Sequence, residues 1–594
     1  MKIFDELKRR NVIKATIAYI VVAWVLLQII AIVLPNFGAP PWLLKTLIFL
    51  IAIGLPIWII FSWVYEITPE GLKKTNNVSK DKSITRTTNK RLNIIIIITL
   101  IITIVLTFVQ QSTPKTTSKA VINNDLVFDK SIAVIPFKNL SDNKENEYFA
   151  DGMMDDILNQ LSIIQGLEVK SRQSSECYHG SIKSIRQIGK ELGVNYLIEG
   201  SVQKHKDSIR IIVQLIDALN DTNLWSDKYD FEFKNVFTIQ SEISKQIAFN
   251  LNMVLPPTGI EQIEKTPTNN VEAYNLYLNG RFFWHLRNKE DLNKSIYYFN
   301  KAIELDSEYA LAYAGLADAY YIMGWWGWLP KNEGFSKGKE YAQKALAIDN
   351  TIAQAHATLG SILTFDEWKW KEAEKELQIA ISLNPNCVTA HHYYYELLDV
   401  LGRNEEAREH VDWALKLNPF SMIFHRQSAY MFYNNLDFEK AIQGFQKAIN
   451  LEIGNDMLIY PDQLTLIRCY LKLGQHELVK ESINDFISTD TLINYNMLDE
   501  LYNKNEIDGL LNWFVNWLSM NQSEKYIEKT MLASFYVIIG DSESALNYLE
   551  KSYIAGEPGL PFINSNLDFK SIKTEPRFID LLKKMDLYQY QLSN

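Results

Sequence analysis

The chain has 594 residues, with 60 Lys+Arg against 70 Asp+Glu, and at ~150 residues per domain that length calls for about four structural units rather than one core. Residues 1–110 carry 13 Lys+Arg and 5 Asp+Glu, a net of +8, so the −10 of the whole chain leaves −18 on residues 111–594. An acidic, Tyr-rich body disfavours nucleic acid as a partner, since nucleic acid needs basic surface to neutralise its phosphates. Cys177, Cys387 and Cys469 lie far apart and form no CxxC. They give neither a disulfide framework nor a zinc pattern and read as buried small hydrophobes.

Three apolar runs open the chain, at about 12–34, 43–65 and 92–109. Each reaches or approaches the ~20 residues that cross a bilayer as a helix. The first exceeds the usual 7–15-residue apolar stretch of a cleaved signal peptide and leads through a proline-rich turn, Pro35 to Pro41, into the second. Basic residues set the expected orientation. Lys2, Lys8, Arg9, Arg10 and Lys14 precede or enter the first run, and Lys73, Lys74, Lys80, Lys82, Arg86, Lys90 and Arg91 follow the second. Both basic ends are expected in the cytoplasm, so a third crossing delivers everything after about residue 111 to the periplasm of a Gram-negative cell. If the third run does not cross, the whole body is cytoplasmic. The expectation is a multi-pass inner-membrane segment over 1–110, then a polar tether, 111–129.

From residue 130 to 256 the texture becomes mixed. SIAVIPF reads as a strand, YFADGMMDDILNQLSII as a helix with Met153, Ile157, Leu158 and Leu161 on one face, and LEVKSR as a second strand. SIKSIRQIGKELG is a helix expected to stop at Gly193, and YLIEGSVQK, SIRIIVQLID and LWSDKYD alternate as a strand meander with a turn at Lys206–Asp207. An amphipathic helix from Phe237 to Leu255 closes the unit. Asp151 is expected near a helix N-cap, and the adjacent Asp155 and Asp156 point to different faces. SIAVIPFKNLSDNKENEYFADGMMDDI, IGKELGVNYLIEGSVQK, IRIIVQLIDA and LWSDKYD together resemble the TolB amino-terminal-like (FlgO-like) domain of bacterial membrane proteins. The amino-terminal FDELKRRNVIKATIAYIVVAWVLLQ resembles the anchor common in that group. Some relatives carry a cyclase or a winged-helix DNA-binding domain; between an anchor that starts at residue 3 and repeats that run to the end, neither is expected to have room here.

Beyond residue 270 a small signature recurs: KAIEL, KALAI, IAISL, WALKL and KAINL. Its alanines, Ala302, Ala345, Ala380, Ala414 and Ala448, step by 43, 35, 34 and 34 residues. A second small slot repeats at Ser295, Gly338, Ala373, Ala407 and Ala441, and a large helix-start slot at Tyr313, His356, His391 and His425. A period near 34 with small residues at fixed offsets specifies stacked helix pairs. The 43-residue step comes from an insertion, WWGWLPKNEG, whose Trp325, Trp326 and Trp328 are expected to fold back on the array. Gly402 is expected at φ > 0 between helices, and a degenerate hairpin near 495–525 precedes the last repeat. The units resemble tetratricopeptide repeats, giving an array over 270–590 with a carboxy-terminal cap. The expected fold class is therefore multidomain: N-terminal transmembrane helices, a small α/β domain and an all-α tetratricopeptide-repeat solenoid.

Such arrays curve, and in the tetratricopeptide family the first helix of each pair lines the concave face. The resemblance points to Tyr274, Tyr277, Arg281, Trp284, Asp318, Tyr321, Gln354, Ser361, His392, Glu396, Asp399, Arg426, Tyr430 and Tyr433 as partner-binding residues. Tyr, Trp and Arg suit a protein or peptide ligand. No GxxxxGK[ST], HExxH, GxSxG or GxGxxG occurs, so no catalytic residue, metal or cofactor is expected. His356, His391 and His425 fill a slot that Tyr313 also fills, which speaks for a structural role over coordination. The expectation is a non-enzymatic membrane-anchored scaffold for protein or peptide partners, with a sensory or regulatory component of a signalling or polysaccharide-uptake system as the alternative.

Overall fold

The computed structural model describes residues 130–141, 146–451, 456–487, 495–522 and 527–591, and nearer the amino terminus residues 16, 19, 23, 54–56, 65–68 and 71–74. The chain forms two units, 1–125 and 126–594. In the first, β1 (Tyr65–Thr68) pairs antiparallel with β2 (Gly71–Lys74). The three apolar runs fall almost wholly outside the described residues, as does the tether. Among the described residues no helix is long and apolar enough to cross a membrane.

The second unit opens with the mixed domain. β3 (Lys130–Val134) is buried from Ser131 onward and lies between two parallel partners, β5 (Leu167–Val169) and β6 (Tyr196–His205). β7 (Ser208–Asp217) and β8 (Thr222–Glu232) continue antiparallel, giving the order β5-β3-β6-β7-β8, with the two-residue β4 (Lys138–Asn139) also on β6. Lys206 makes the β6–β7 turn at φ 53°. Helices α1 (Glu147–Ser162) and α4 (Val236–Asn250) cover one face through Met153, Ile157, Leu161, Ile243 and Ile247. α2 (Arg172–Glu176) follows β5, and α3 (Ile185–Leu192) covers part of the other face through Ile188 and Leu192. α3 starts on a Ser184–Gln187 capping box and stops at Gly193, φ 67°. Two expectations change. Asp151 lies inside α1, buried against Arg172, and Asn146 is the cap. The closing helix ends at Asn250, because Asn252 turns left-handed, φ 50°, and α5 (Pro257–Glu264) follows.

The repeats run as antiparallel pairs: α6 (Val271–His285) with α7 (Lys289–Leu305), α8 (Ala310–Trp325) with α9 (Lys331–Ile348), and α10 (Ala353–Phe365) with α11 (Trp370–Leu383). Next come α12 (Val388–Val400) with α13 (Asn404–Leu417), α14 (Met422–Asn434) with α15 (Phe438–Leu451), and α16 (Asp456–Lys472) with α17 (His476–Ile487). Where a hairpin was expected near 495–525 there is one helical run, α18 (Tyr495–Met520), in which Glu506 has φ 51°. Its apolar residues Leu510, Leu511, Phe514, Val515 and Leu518 bury one stripe after Glu506, whose left-handed backbone interrupts the run. α19 (Lys529–Ile538) and α20 (Ser542–Ala555) form the last pair. The cap is two 3-10 turns, Leu560–Asn564 and Leu567–Ile572, then α21 (Pro576–Lys584) and α22 (Tyr588–Gln591).

The small slots sit where helices touch: all five signature alanines are fully buried, and a Cβ on Gly338 would meet the Ala317 carbonyl at 3.2 Å. The large slot is a hydrogen-bonding device. His356, His391 and His425 each place Nε2 about 3 Å from the carbonyl six residues back, of Asn350, Pro385 and Pro419. Gly402 has φ 74°. In the insertion Trp325 packs on Phe365 at 4.9 Å, and Trp328 stacks on Trp326, which stays exposed. Cys387 and Cys469 are buried, but Cys177 is exposed in the turn after the short α2, where no helix covers it.

One such histidine yields a measurable pH dependence. A carbonyl can only accept, so His391 Nε2 carries the hydrogen given to Pro385, and His391 Nδ1 accepts from His410 Nδ1–H at 2.9 Å. Burial lowers the His391 pKa to about 4 and that of His410 to about 3. These values lie below that of an unfolded histidine, about 6.5. The stability they confer is therefore complete above about pH 6.5 and is lost as pH falls below it. His410→Gln keeps a donor but cannot titrate. Urea unfolding between about pH 7 and pH 5 is expected to show the variant losing ~2 kcal/mol less than the parent.

The mixed domain and the array are joined through an edge strand. β5 ends the sheet, and the Asn386 side chain stands where a further strand would. Its Oδ1 accepts from the Val169 amide at 3.1 Å, and its Nδ2 donates to the carbonyls of Leu167 and Ser162 at 2.8 and 2.9 Å. Ser171 N donates to Leu417 O at 2.9 Å, and Lys416 pairs with the buried Glu168 at 2.9 Å. On α1, Gly152 lets α6 approach so closely that a Cβ there would lie 2.6 Å from Leu278.

Candidate functional site on the inner face of the repeats

Of the fourteen first-helix residues nine are buried, five are half-buried and none is exposed. Their partners belong to the chain itself. In α6, Tyr274 donates to Asp156, accepts from Gln240 at 2.8 Å, and so faces the mixed domain. His285 lies 2.9 Å from Asp155, which Arg281 approaches to 3.8 Å and Arg172 to 3.4 Å. Burial opposes charge on Asp155, yet Arg172, His285 and Arg281 hold its pKa far below the usual carboxylate range. Burial raises that of neighbouring Asp156 to about 7 against the hydrogen bonds it accepts, and lowers that of His285 to about 3. The two adjacent carboxylates of α1 thus have opposite protonation tendencies, Asp155 held charged chiefly by Arg172 and Asp156 pushed up by burial and by the charge of Asp155.

Further along, Tyr277 packs on Phe299 and Tyr309 at 5.7 and 5.2 Å. Buried Asp318 accepts from Thr358 and from Gln354 at 3.3 Å. Tyr321 and Ser361 share a 2.6 Å hydrogen bond, and Tyr321 meets Tyr393, two repeats on, at 5.4 Å between ring centres. That contact shows how tightly the array coils. His392 bonds Glu396 at 3.1 Å, and Arg426 grips Asp462 at 2.6 Å. Tyr430 bonds Thr465 at 3.1 Å.

The cap crosses the carboxy-terminal ends of α10, α12 and α14. Phe562 packs on Phe365 at 5.6 Å, Asn564 donates to Val400 O at 2.8 Å, and Ser565 donates to Asp399 at 3.3 Å. Burial there raises the Asp399 pKa to about 7. Tyr433 donates to Asp568 at 2.5 Å, and Arg468 pairs with the same carboxylate. The mixed domain holds the starts of α12 and α14, and the cap holds their ends. Both ends of these helices are therefore contacted by the chain itself.

One corner differs. Arg287, just past α6, is exposed and left-handed at φ 54°, with its guanidinium 3.7 Å from the centre of the Trp284 ring. Arg281 sits 4.4 Å from the same ring. Among the described residues Arg287 makes no ion pair or hydrogen bond, and buried Trp284 Nε1 and Asp318 Oδ2 have no partner. Protein around the Arg287 guanidinium lowers its pKa to about 10, with Tyr393, Asp318 and Arg281 facing it. Reading only first-helix positions misses Arg287. Its neighbour Trp284 and the sequence WHLRNKED, a cation beside an indole in an inter-helix turn, were the available signal.

A family model described as HilA/YgeH-like transcriptional regulator, second domain, matches residues 128–246, which covers the mixed domain. A Rhizobium meliloti (strain 1021) protein named as an adenylate cyclase is 34% identical over 238 residues, and the chain spans 40% of that relative's length and matches over 40% of its own. The transcriptional regulator HilA of Salmonella typhimurium is 21% identical over 405 residues, 68% of this chain and 69% of that one. Among solved structures, Pseudomonas aeruginosa PilF is similar at TM-score 0.30 and 18% identity, over 39% of this chain and 97% of that one. Human IFIT1, solved as a dimer with m7Gppp-AAAA, is similar at TM-score 0.33 and 17% identity, over 53% and 77%.

Proposed function

We propose that this chain is a non-enzymatic, membrane-anchored scaffold whose helical repeats bind a protein or peptide partner. The carrying observation is the Trp284–Arg287 corner, where an arginine stacked on an indole makes no ion pair among the described residues and the indole Nε1 has no partner. Arginine and tryptophan set in protein, with little entropy left to lose, are the residues that dominate binding energy at interfaces. A partner carboxylate would bond Arg287, with Arg281 on the same indole beside it. The −18 on residues 111–594 favours a partner that is neutral or basic overall, and disfavours nucleic acid. The basic flanks of the apolar runs support an inner-membrane protein with a cytoplasmic amino terminus and a periplasmic body, the mixed domain being of the TolB amino-terminal-like kind. No catalytic, metal or cofactor role is assigned.

A photo-cross-linking residue at the exposed Leu286 tests this in intact cells. A discrete adduct is expected, and Arg287→Glu is expected to abolish it while leaving the chain's abundance unchanged. An adduct indifferent to Arg287→Glu sinks the assignment. The second reading, a regulatory component of a signalling or nutrient-uptake system, is favoured by the names of the relatives, an adenylate cyclase and a transcriptional regulator.

A further inference from the structure

We propose that the end of the mixed domain at which the chain enters from its amino-terminal region is a lipid-contacting surface. The strand registers define this end. β3 begins at Lys130, beside the starts of its parallel partners β5 at Leu167 and β6 at Tyr196. Tyr196 pairs with Asp217 at the end of β7, and Asp217 with Thr222 at the start of β8. α4 also finishes here, since the Lys130 ammonium donates to the Leu251 carbonyl.

Exposed apolar side chains concentrate at that end. Leu219 (64% exposed) and Leu224 (43%) flank the β7–β8 turn, and Phe249 (75%) and Val254 (88%) flank the end of α4. Elsewhere among the described residues of the domain, only Leu140 and Ile182 are large, apolar and comparably open. Left-handed residues make both turns, Asp221 at φ 56° and Asn252 at φ 50°. Asp217 is engaged within its own turn, accepting from the amides of Leu219 and Asn220, and the Arg186 guanidinium donates to Leu219 O. Apolar tips beside Lys130 and Arg186 are the composition that settles into the boundary between head groups and acyl chains.

What would cover this surface follows from the chain itself. Twenty residues, 110–129, separate Lys130 from Val109, the end of the apolar run 92–109. A connection of that length reaches at most ~70 Å when fully extended, and it joins the domain at this end rather than at the opposite one bearing Leu140. The proposal rests on the membrane-anchored reading.

The test uses the full chain, with Cys177→Ser to remove the exposed thiol, reconstituted in vesicles of phosphatidylethanolamine and phosphatidylglycerol. An environment-sensitive fluorophore is placed on Leu219→Cys, on Val254→Cys, and on Leu140→Cys at the far end of the sheet. Alkaline extraction followed by flotation reports first whether the chain is embedded; release from the vesicles overturns the anchored reading and this proposal with it. With the chain embedded, emission at 219 and 254 is expected to shift to the blue and to be quenched by lipids brominated on the acyl chain, while 140 does neither. Embedded chains whose 219 and 254 probes behave like 140 overturn the lipid contact and leave the anchor standing. A blue shift without bromolipid quenching would assign the surface to a second protein copy and also overturn it.

Discussion

Asp568→Ala is expected to lower stability by ~3–5 kcal/mol, the usual consequence of removing one partner of a buried ion pair. The Asp568 side chain is fully buried, and it receives Arg468, itself 1% exposed, together with Tyr433 at 2.5 Å. Without the carboxylate the Arg468 guanidinium keeps only neutral partners, Thr465 at 2.5 Å and Ser534 at 3.3 Å, and its Nε already lacks one. A second arm separates loss of charge pairing from loss of packing: the double variant Arg468→Met, Asp568→Leu removes both charges and is expected to recover most of the deficit. Urea midpoints report the energies. Hydrogen exchange reports the place, with the amides of residues 560–572 losing protection in Asp568→Ala before those of α6 to α9. If the cap loosens in this way, Asp399 and Tyr433 become reachable from solvent.

Asn386→Ala should act differently, by uncoupling rather than loosening. It leaves the Val169 amide and the carbonyls of Leu167 and Ser162 without the side chain that satisfies them. Each buried orphan costs ~1–3 kcal/mol unless water reaches it. The expected total is therefore ~3–6 kcal/mol, set by how far the domain lifts off to let water in. The diagnostic is cooperativity. The parent should unfold its mixed domain and repeats in a shared transition, and Asn386→Ala should split it, with exchange at Val169 and Ser171 accelerated first. An unchanged single transition in Asn386→Ala would show that Lys416–Glu168 and the Leu417 backbone contact suffice.

Local rules made the repeat legible. Ala302, Ala345, Ala380, Ala414 and Ala448 recur because helices can approach closely only over a small side chain, and every one is fully buried. Gly193 and Gly402 were readable for an equally local reason, a left-handed turn that other residues resist. The strand meander followed from alternation, with register fixed by its apolar face. The inner face was not legible at the same level. A tyrosine or aspartate on a first helix looks the same whether a ligand or the chain's own cap satisfies it, and the contacts that decide, such as Tyr433 with Asp568 at a separation of 135 residues, leave no periodic trace. Asp151 was misplaced because its partner Arg172 comes from beyond the next strand. Asn386 reads in sequence as one more polar residue in a turn after Pro385. Arg287 lies in a turn between two helices, where the 34-residue period carries no information.

By occupying the outer margin of β5, the Asn386 amide leaves the sheet, among the described residues, a single unblocked side, at the solvent-exposed β8. A sheet with two free sides can be extended indefinitely by copies of itself, whereas one free side permits a single partnering event and then terminates. Any association of these molecules through main-chain pairing of this sheet is thereby limited to twos, and fibre growth by that route is closed.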